Sequence, residues 1–210
     1  MADATQFPGD ISVPGVIYAR GGIQPPLARS TLLQESLAVY KIPLTQFRVW
    51  DALQTNLPGT SATDDLGLIG GTFATASPSI QTSDLKTAGA TTRYARIEIP
   101  LPVEYVAGET VVLRFHAGMI TTVADTSATL DVQCYESDSE VGISADLCAT
   151  AATTINSLVL ADIDFTITAT SLAPGDMLDV RIAVAVNDAG GGTAVIACIG
   201  AAALLADIKG

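Results

Sequence analysis

The sequence of 210 residues is short of charge, of histidine and of aromatic rings: Asp, Glu, Lys and Arg make up 15%, Phe, Trp and Tyr 5%, and there is one His and one Trp. A charged fraction well under the ~25% of ordinary globular chains excludes a disordered acidic tail. What charge there is leans negative, with 10 Lys+Arg against 22 Asp+Glu and a formal net charge of −12. That balance excludes a protein whose main task is to neutralise phosphates, so no direct nucleic-acid partner is expected. One imidazole cannot build a His-rich metal site, and Cys134, Cys148 and Cys198 show no CxxC spacing; no metal and no cofactor is expected. Their odd number and wide spacing fit free, buried thiols in a reducing compartment better than a disulfide framework. The longest apolar run, Ala194 to Ala206, is too short to cross a bilayer as a helix, and Met1 to Asp10 lacks the basic and apolar regions of a secretory signal. The expectation is a soluble protein with no membrane partner.

Catalytic signatures are missing as well. No GxSxG, HExxH, Walker A or GxGxxG occurs. His116 falls at an outward strand position beside Arg114, with no nucleophile motif, and reads as a surface histidine rather than a general base. Gly67-Leu68-Ile69-Gly70-Gly71 is not followed by the Lys or Ser/Thr of a phosphate cradle, so it reads as a backbone device. The densest acidic groups are Asp64-Asp65 and Glu136-Ser137-Asp138-Ser139-Glu140. Alternating oxygens in a loop can hold Ca²⁺, but the EF-hand glycine and glutamate are absent, and solvated acidic loops are expected. No enzyme is expected; a two-carboxylate glycosidase on a sandwich is a third reading, weakened by the scarcity of aromatics.

What the sequence does contain is alternation. Ala95, Ile97 and Ile99 oppose Arg96 and Glu98; Val111, Leu113 and Phe115 oppose Arg114 and His116. Ala128, Leu130, Val132 and Cys134 oppose Thr129, Asp131 and Gln133; Ile163, Phe165 and Ile167 oppose Asp162, Asp164 and Thr166; Leu178 to Val186 oppose Asp179 and Arg181. A period of two, five times over, predicts half-buried strands with one wet face. Turn residues separate them, notably Ala173-Pro174-Gly175-Asp176. Weaker strands are predicted at Leu37 to Ile42, at Phe47 to Trp50 beyond Pro43, at Leu66 to Phe73 and at Thr193 to Ile208, and a short helix within Ser79 to Thr87. The fold class predicted is all-β: an antiparallel β-sandwich, a jelly roll of about eight strands, over residues 36–210.

The first 35 residues differ. Phe7-Pro8-Gly9, Val13-Pro14-Gly15, Gly21-Gly22 and Pro25-Pro26 prevent a regular helix and weaken sheet pairing. Yet the segment carries Phe7, Ile11, Val13, Val16, Ile17, Tyr18 and Ile23. An apolar extended arm needs a surface to lie on, either its own domain or a neighbouring subunit; as an interface, these seven side chains are its contacts.

Arg93-Tyr94-Ala95-Arg96-Ile97-Glu98-Ile99-Pro100-Leu101-Pro102-Val103-Glu104-Tyr105-Val106-Ala107-Gly108-Glu109-Thr110-Val111-Val112-Leu113-Arg114 resembles a strand–turn–strand of small structural proteins in tailed-phage virions. So does the hairpin Ser171-Leu172-Ala173-Pro174-Gly175-Asp176-Met177-Leu178-Asp179-Val180-Arg181. The resemblance spans about residues 60 to 208. It implies a non-enzymatic jelly-roll subunit that decorates or cements a capsid, partnered by copies of itself, as a homotrimer, and by a major capsid protein lattice. Its location would then be the virion, after assembly in a bacterial cytoplasm. The alternative is a carbohydrate- or receptor-binding β-sandwich module whose loops grip a sugar or a cell surface. A concave groove with exposed aromatics marks the module; a flat or convex apolar face marks the cement subunit.

Overall fold

The computed structural model describes residues 37–137 and 142–209. The arm residues Phe7, Ile11, Val13, Val16, Ile17, Tyr18 and Ile23 lie outside the described residues, as do Asp138, Ser139 and Glu140 of the second acidic group.

Twelve strands follow one another: β1 (Leu37–Ile42), β2 (Arg48–Val49), β3 (Ala52–Asn56), β4 (Gly67–Ile69), β5 (Ser79–Gln81), β6 (Gly89–Pro100), β7 (Val111–Met119), β8 (Ser127–Ser137), β9 (Thr153–Thr154), β10 (Ala161–Ile167), β11 (Met177–Asp188) and β12 (Ala197–Asp207). The first sheet runs β10-β7-β12, and along the other edge of β12 lie β1 and then β5 with β4. The second runs β3-β2-β6-β11-β8-β9. Every named pairing is antiparallel. With β2 to β5, the strands inserted between β1 and β6, set aside, eight strands remain. Counted in chain order, one sheet then reads first-eighth-third-sixth and the other second-seventh-fourth-fifth. That is the strand order of a jelly roll, as the sequence predicts.

The alternation explains the sandwich. Inward Ala95, Ile97 and Ile99 of β6, Leu178, Val180 and Ile182 of β11, and Leu130, Val132 and Cys134 of β8 are all buried. They meet Leu113 and Phe115 of β7, Phe165 of β10 and Leu204 of β12 in one core. Phe115 and Phe165, on neighbouring strands, pack edge to face with centroids 6.1 Å apart and planes at 73°. This geometry suits the ring quadrupoles. The Pro-Gly-Asp turn closes as its chemistry requires: Asp176 N–H donates to Ala173 O at 3.2 Å, the Asp176 carboxylate accepts from Ala173 N–H at 2.6 Å, and Gly175 has φ 87°. Pro presets the second residue of such a turn, and the third needs positive φ.

Pro43 ends β1, and the chain makes a 3-10 turn over Leu44–Gln46 before β2. The glycine segment acts as a backbone device: a Cβ on Gly67 would lie 2.4 Å from Ser61 N. The strand there is confined to Gly67–Ile69, because Gly70 and Gly71 turn the chain with positive φ. The helix expected within Ser79 to Thr87 does not form. Ser79–Gln81 is a strand; Ile80 and Thr82 are buried on one side, and Thr82 and Leu85 donate backbone bonds to Ala197 O and Val195 O. Pairing with β12 overrides a weak local helix preference.

The three cysteines are free, Cys134 and Cys198 buried and Cys148 half-buried. Burial pushes the Cys134 thiol up to about 12, so its thiolate is scarcely populated at neutral pH and it is unreactive. Titration with a thiol reagent is expected to find three thiols in denaturant and Cys134 protected in the native state; a native protein that modifies Cys134 rapidly contradicts this packing. Phe115→Ala is expected to cost about 3–5 kcal/mol of stability in denaturant unfolding, the range for deleting a buried phenyl ring.

Candidate functional site

The outward residues of the second sheet form rows across its strands. Arg48 of β2 lies opposite Arg96 of β6, Arg96 opposite Arg181 of β11, and Arg181 opposite Gln133 of β8. The next row is Glu98, Asp179 and Tyr135; the row on the other side is Tyr94, Ala183 and Asp131. Their place is dictated by the buried residues alternating with them.

Two arginines facing each other across a strand pair repel. The side chains resolve this by leaning apart along the diagonals. Arg96 turns to Asp179 in a bidentate pair, Nε to Oδ1 at 2.7 Å and Nη2 to Oδ2 at 2.5 Å. The Asp179 side chain is only 9% exposed and the Arg96 side chain 32%. The hydrogen bond to Asp179 outweighs burial and lifts Arg96 above its ordinary range, so Arg96 stays charged. Arg181 turns the other way. Its guanidinium carbon stands 5.3 Å from the ring centre of Trp50 and 5.0 Å from that of Tyr94, and Nη2 donates to Gln133 Oε1. The two rings lie 5.2 Å apart, tilted by 48°. A cation over two aromatic faces is held by their quadrupoles, worth about 0.5–2 kcal/mol depending on desolvation.

Trp50 follows β2 in the turn to β3, and Asp64 fixes its ring, with Trp50 Nε1 donating to Asp64 Oδ2 at 3.0 Å. Asp64 and Asp65 are half-buried rather than a solvated run. Burial, then the nearby Asp64 and Asp51 carboxylates, raise Asp65 above its ordinary range, and its Oδ1 is buried without a partner.

An open cleft of about 400 Å³ lies here, floored by Arg96, Asp179, Arg181 and Gln133 and flanked by Trp50, Tyr135, Asp51 and Ile143. Planar hydrogen-bonding groups on a rigid sheet beside aromatic rings can hold a ligand that has both an apolar face and polar edges. A second cleft, of about 480 Å³, opens where β1 and the end of β6 part; Ile42, Ile99, Leu101, Val103 and Leu204 make its lining mainly apolar, and Lys41, Gln46, Glu98 and Glu104 also line it. Among the described residues no group of three or more His, Cys, Asp or Glu side chains is arranged to hold a metal ion, and no helix is long and apolar enough to cross a membrane. His116 lies on the outer face of the first sheet, its Nδ1 2.8 Å from Asp162 Oδ1, next to the bidentate Arg114–Asp164 pair at 2.6 and 2.7 Å. It is a surface histidine, as its strand position implies.

The sequence reading placed Arg96, Glu98, Asp131, Gln133, Asp179 and Arg181 on wet strand faces but not in one site. The missing information was that β6, β11 and β8 are neighbours, since β6 and β11 are separated by four intervening strands. Trp50 carried a signal, being the single Trp in a chain poor in aromatics.

No protein-family model matches the sequence, and no curated protein matches it. Solved structures with a similar layout exist. A xylan-binding module, CBM15, aligns over 83% of this chain and 100% of its own, at 13% identity and TM-score 0.38. TmCBM61 in complex with beta-1,4-galactotriose aligns over 62% of this chain and 71% of its own, at 10% identity and TM-score 0.37. The CBM22-1 xylan-binding domain from Paenibacillus barcinonensis Xyn10C aligns over 68% and 81%, at 13% identity and TM-score 0.35. At these values the likeness is one of strand layout.

The expected capsid cement subunit is corrected here. The second sheet presents a cleft with half-buried aromatics and paired charges, not the flat apolar face that a cement subunit requires. The outer face of the first sheet carries the Arg114, His116, Asp162 and Asp164 charges.

Asp65→Asn is expected to raise the melting temperature at pH 7. A carboxyl whose pKa is raised by folding stabilises only when protonated, below its unfolded pKa, and that contribution is lost as pH rises through the folded value. The advantage of the variant is therefore expected to shrink as pH falls through the carboxylate range. A variant that melts lower at pH 7 would show that the native fold requires the ionised form, as a partner of Arg93.

Proposed function

We propose that this protein is a carbohydrate-binding β-sandwich module, non-enzymatic, that holds a saccharide across the outer face of its second sheet. The observation that supports it is the meeting, in one open cleft, of Trp50 and Tyr135 with the hydrogen-bonding ends of Arg96, Asp179, Arg181 and Gln133. A pyranose has the matching chemistry. Its C–H face packs against a ring, and its hydroxyls both donate and accept, so they exchange paired bonds with guanidinium, carboxylate and carboxamide. Arg96, Asp179, Arg181, Gln133 and Tyr135 stand on the long paired strands β6, β11 and β8, and Asp64 holds the Trp50 ring, so little ordering accompanies binding. The absence of a motif for nucleophilic or metal-assisted chemistry in the sequence supports binding without turnover.

The test is binding of the full chain to a panel of insoluble and soluble polysaccharides, by pull-down and calorimetry. At least one is expected to bind. Trp50→Ala and Tyr135→Ala are each expected to weaken binding about three- to tenfold, the range for loss of an aromatic contact. Unfolding curves would show the sandwich intact. Failure to bind any member of the panel, or undiminished binding by both variants, rejects the reading.

A further inference from the structure

In a chain with 22 Asp+Glu and 10 Lys+Arg, carboxylates are plentiful enough to pair every cation. Arg96 and Arg114 each hold one in bidentate geometry. Arg93 lies in the field of Asp65 and donates to Ser83 Oγ at 3.3 Å. Arg48 donates from Nη1 to the backbone oxygens of Thr45 and Phe47. Arg181, like Arg48, holds no carboxylate among the described residues, but it lines the cleft: its polar partner is the neutral carboxamide of Gln133, and its plane is steadied by the Trp50 and Tyr94 rings. It stands on the floor of the cleft, in the row of three arginines Arg48, Arg96 and Arg181.

Resting on the saccharide-binding reading, we propose that Arg181 receives the carboxylate of a uronic acid unit, and that the ligand is a mostly neutral polysaccharide carrying such units sparsely. A guanidinium offers five donors in one plane, matched to a carboxylate, and is weakly hydrated, so a charge-assisted pair forms there at little desolvation cost. With one Nη committed to Gln133, the remaining donors stay available to a ligand. Sparseness follows from the surrounding charge. Asp51 flanks the cleft, Glu98 lies beside Asp179 in the next row, and Asp131 lies beside Ala183. The whole chain carries −12. A polymer with a carboxylate on every unit meets that field along its length and is repelled, most at low salt. A single carboxylate on a neutral chain meets that repulsion once and gains the charge-assisted pair with Arg181.

The experiment compares binding of the full chain to glucuronoxylan and to a glucuronic-acid-bearing arabinogalactan, each against its own carboxyl-reduced form, with polygalacturonate alongside. At least one uronate-bearing polymer is expected to bind about tenfold more tightly than its reduced form, in line with a charge-assisted hydrogen bond, and more tightly than polygalacturonate. Arg181→Gln is expected to abolish the preference while leaving binding of the reduced polymer measurable. Arg181→Lys should keep part of the preference, and Arg114→Gln, on the other sheet, all of it. Equal binding of native and reduced polymers, or a preference that survives Arg181→Gln, overturns the inference and leaves the module reading standing. Tighter binding to polygalacturonate overturns the sparse-carboxylate part. Binding to no polysaccharide, charged or neutral, overturns both.

Discussion

The register of β11 between β6 and β8 is the constraint on which the molecule depends. Met177–Asp188 pairs on both edges over nearly its whole length. Strand periodicity leaves no intermediate: a slip of one residue would drive Asp179 and Arg181 into the core and bring Leu178, Val180 and Ile182 to the surface. Burial of those three side chains therefore fixes the position of every group on the opposite face. Core packing and site geometry are two consequences of one alignment.

That alignment sets two guanidiniums face to face, at Arg96 and Arg181. Their separation along opposite diagonals creates a polar half, around Asp179, and an aromatic half, around Trp50 and Tyr94. The Asp179 carboxylate is nearly buried; such a charge is tolerated because both of its oxygens are paired. Each half holds the other in place, since Arg181 could not lean on the rings if Arg96 occupied the same diagonal.

Much of the fold was legible in the sequence. The five alternating segments fall inside β6, β7, β8, β10 and β11, and the break at Pro43 separates β1 from β2. Two kinds of element were not. Short pairings such as β4 with β5 have too few residues for a period to show, and the Ser79 to Thr87 stretch took its shape from β12, more than a hundred positions away. The site was hidden for a related reason. Wet-face residues look alike on every strand, and only strand order shows which of them converge. A capsid role was inferred from hairpin turns, but Pro-Gly-Asp records how strands are joined and carries nothing about what their outer faces meet.

The chain leaves the eight-strand framework after Ile42 and rejoins it at Gly89. The intervening stretch contributes Trp50, with Asp64 to orient it, whereas the arginines Arg96 and Arg181 belong to the framework itself. Ring and charge are thus inherited through different parts of the polypeptide. A change of the ring at position 50 therefore alters the hydrophobic wall of this cleft while the strands of the sandwich keep its electrostatic floor.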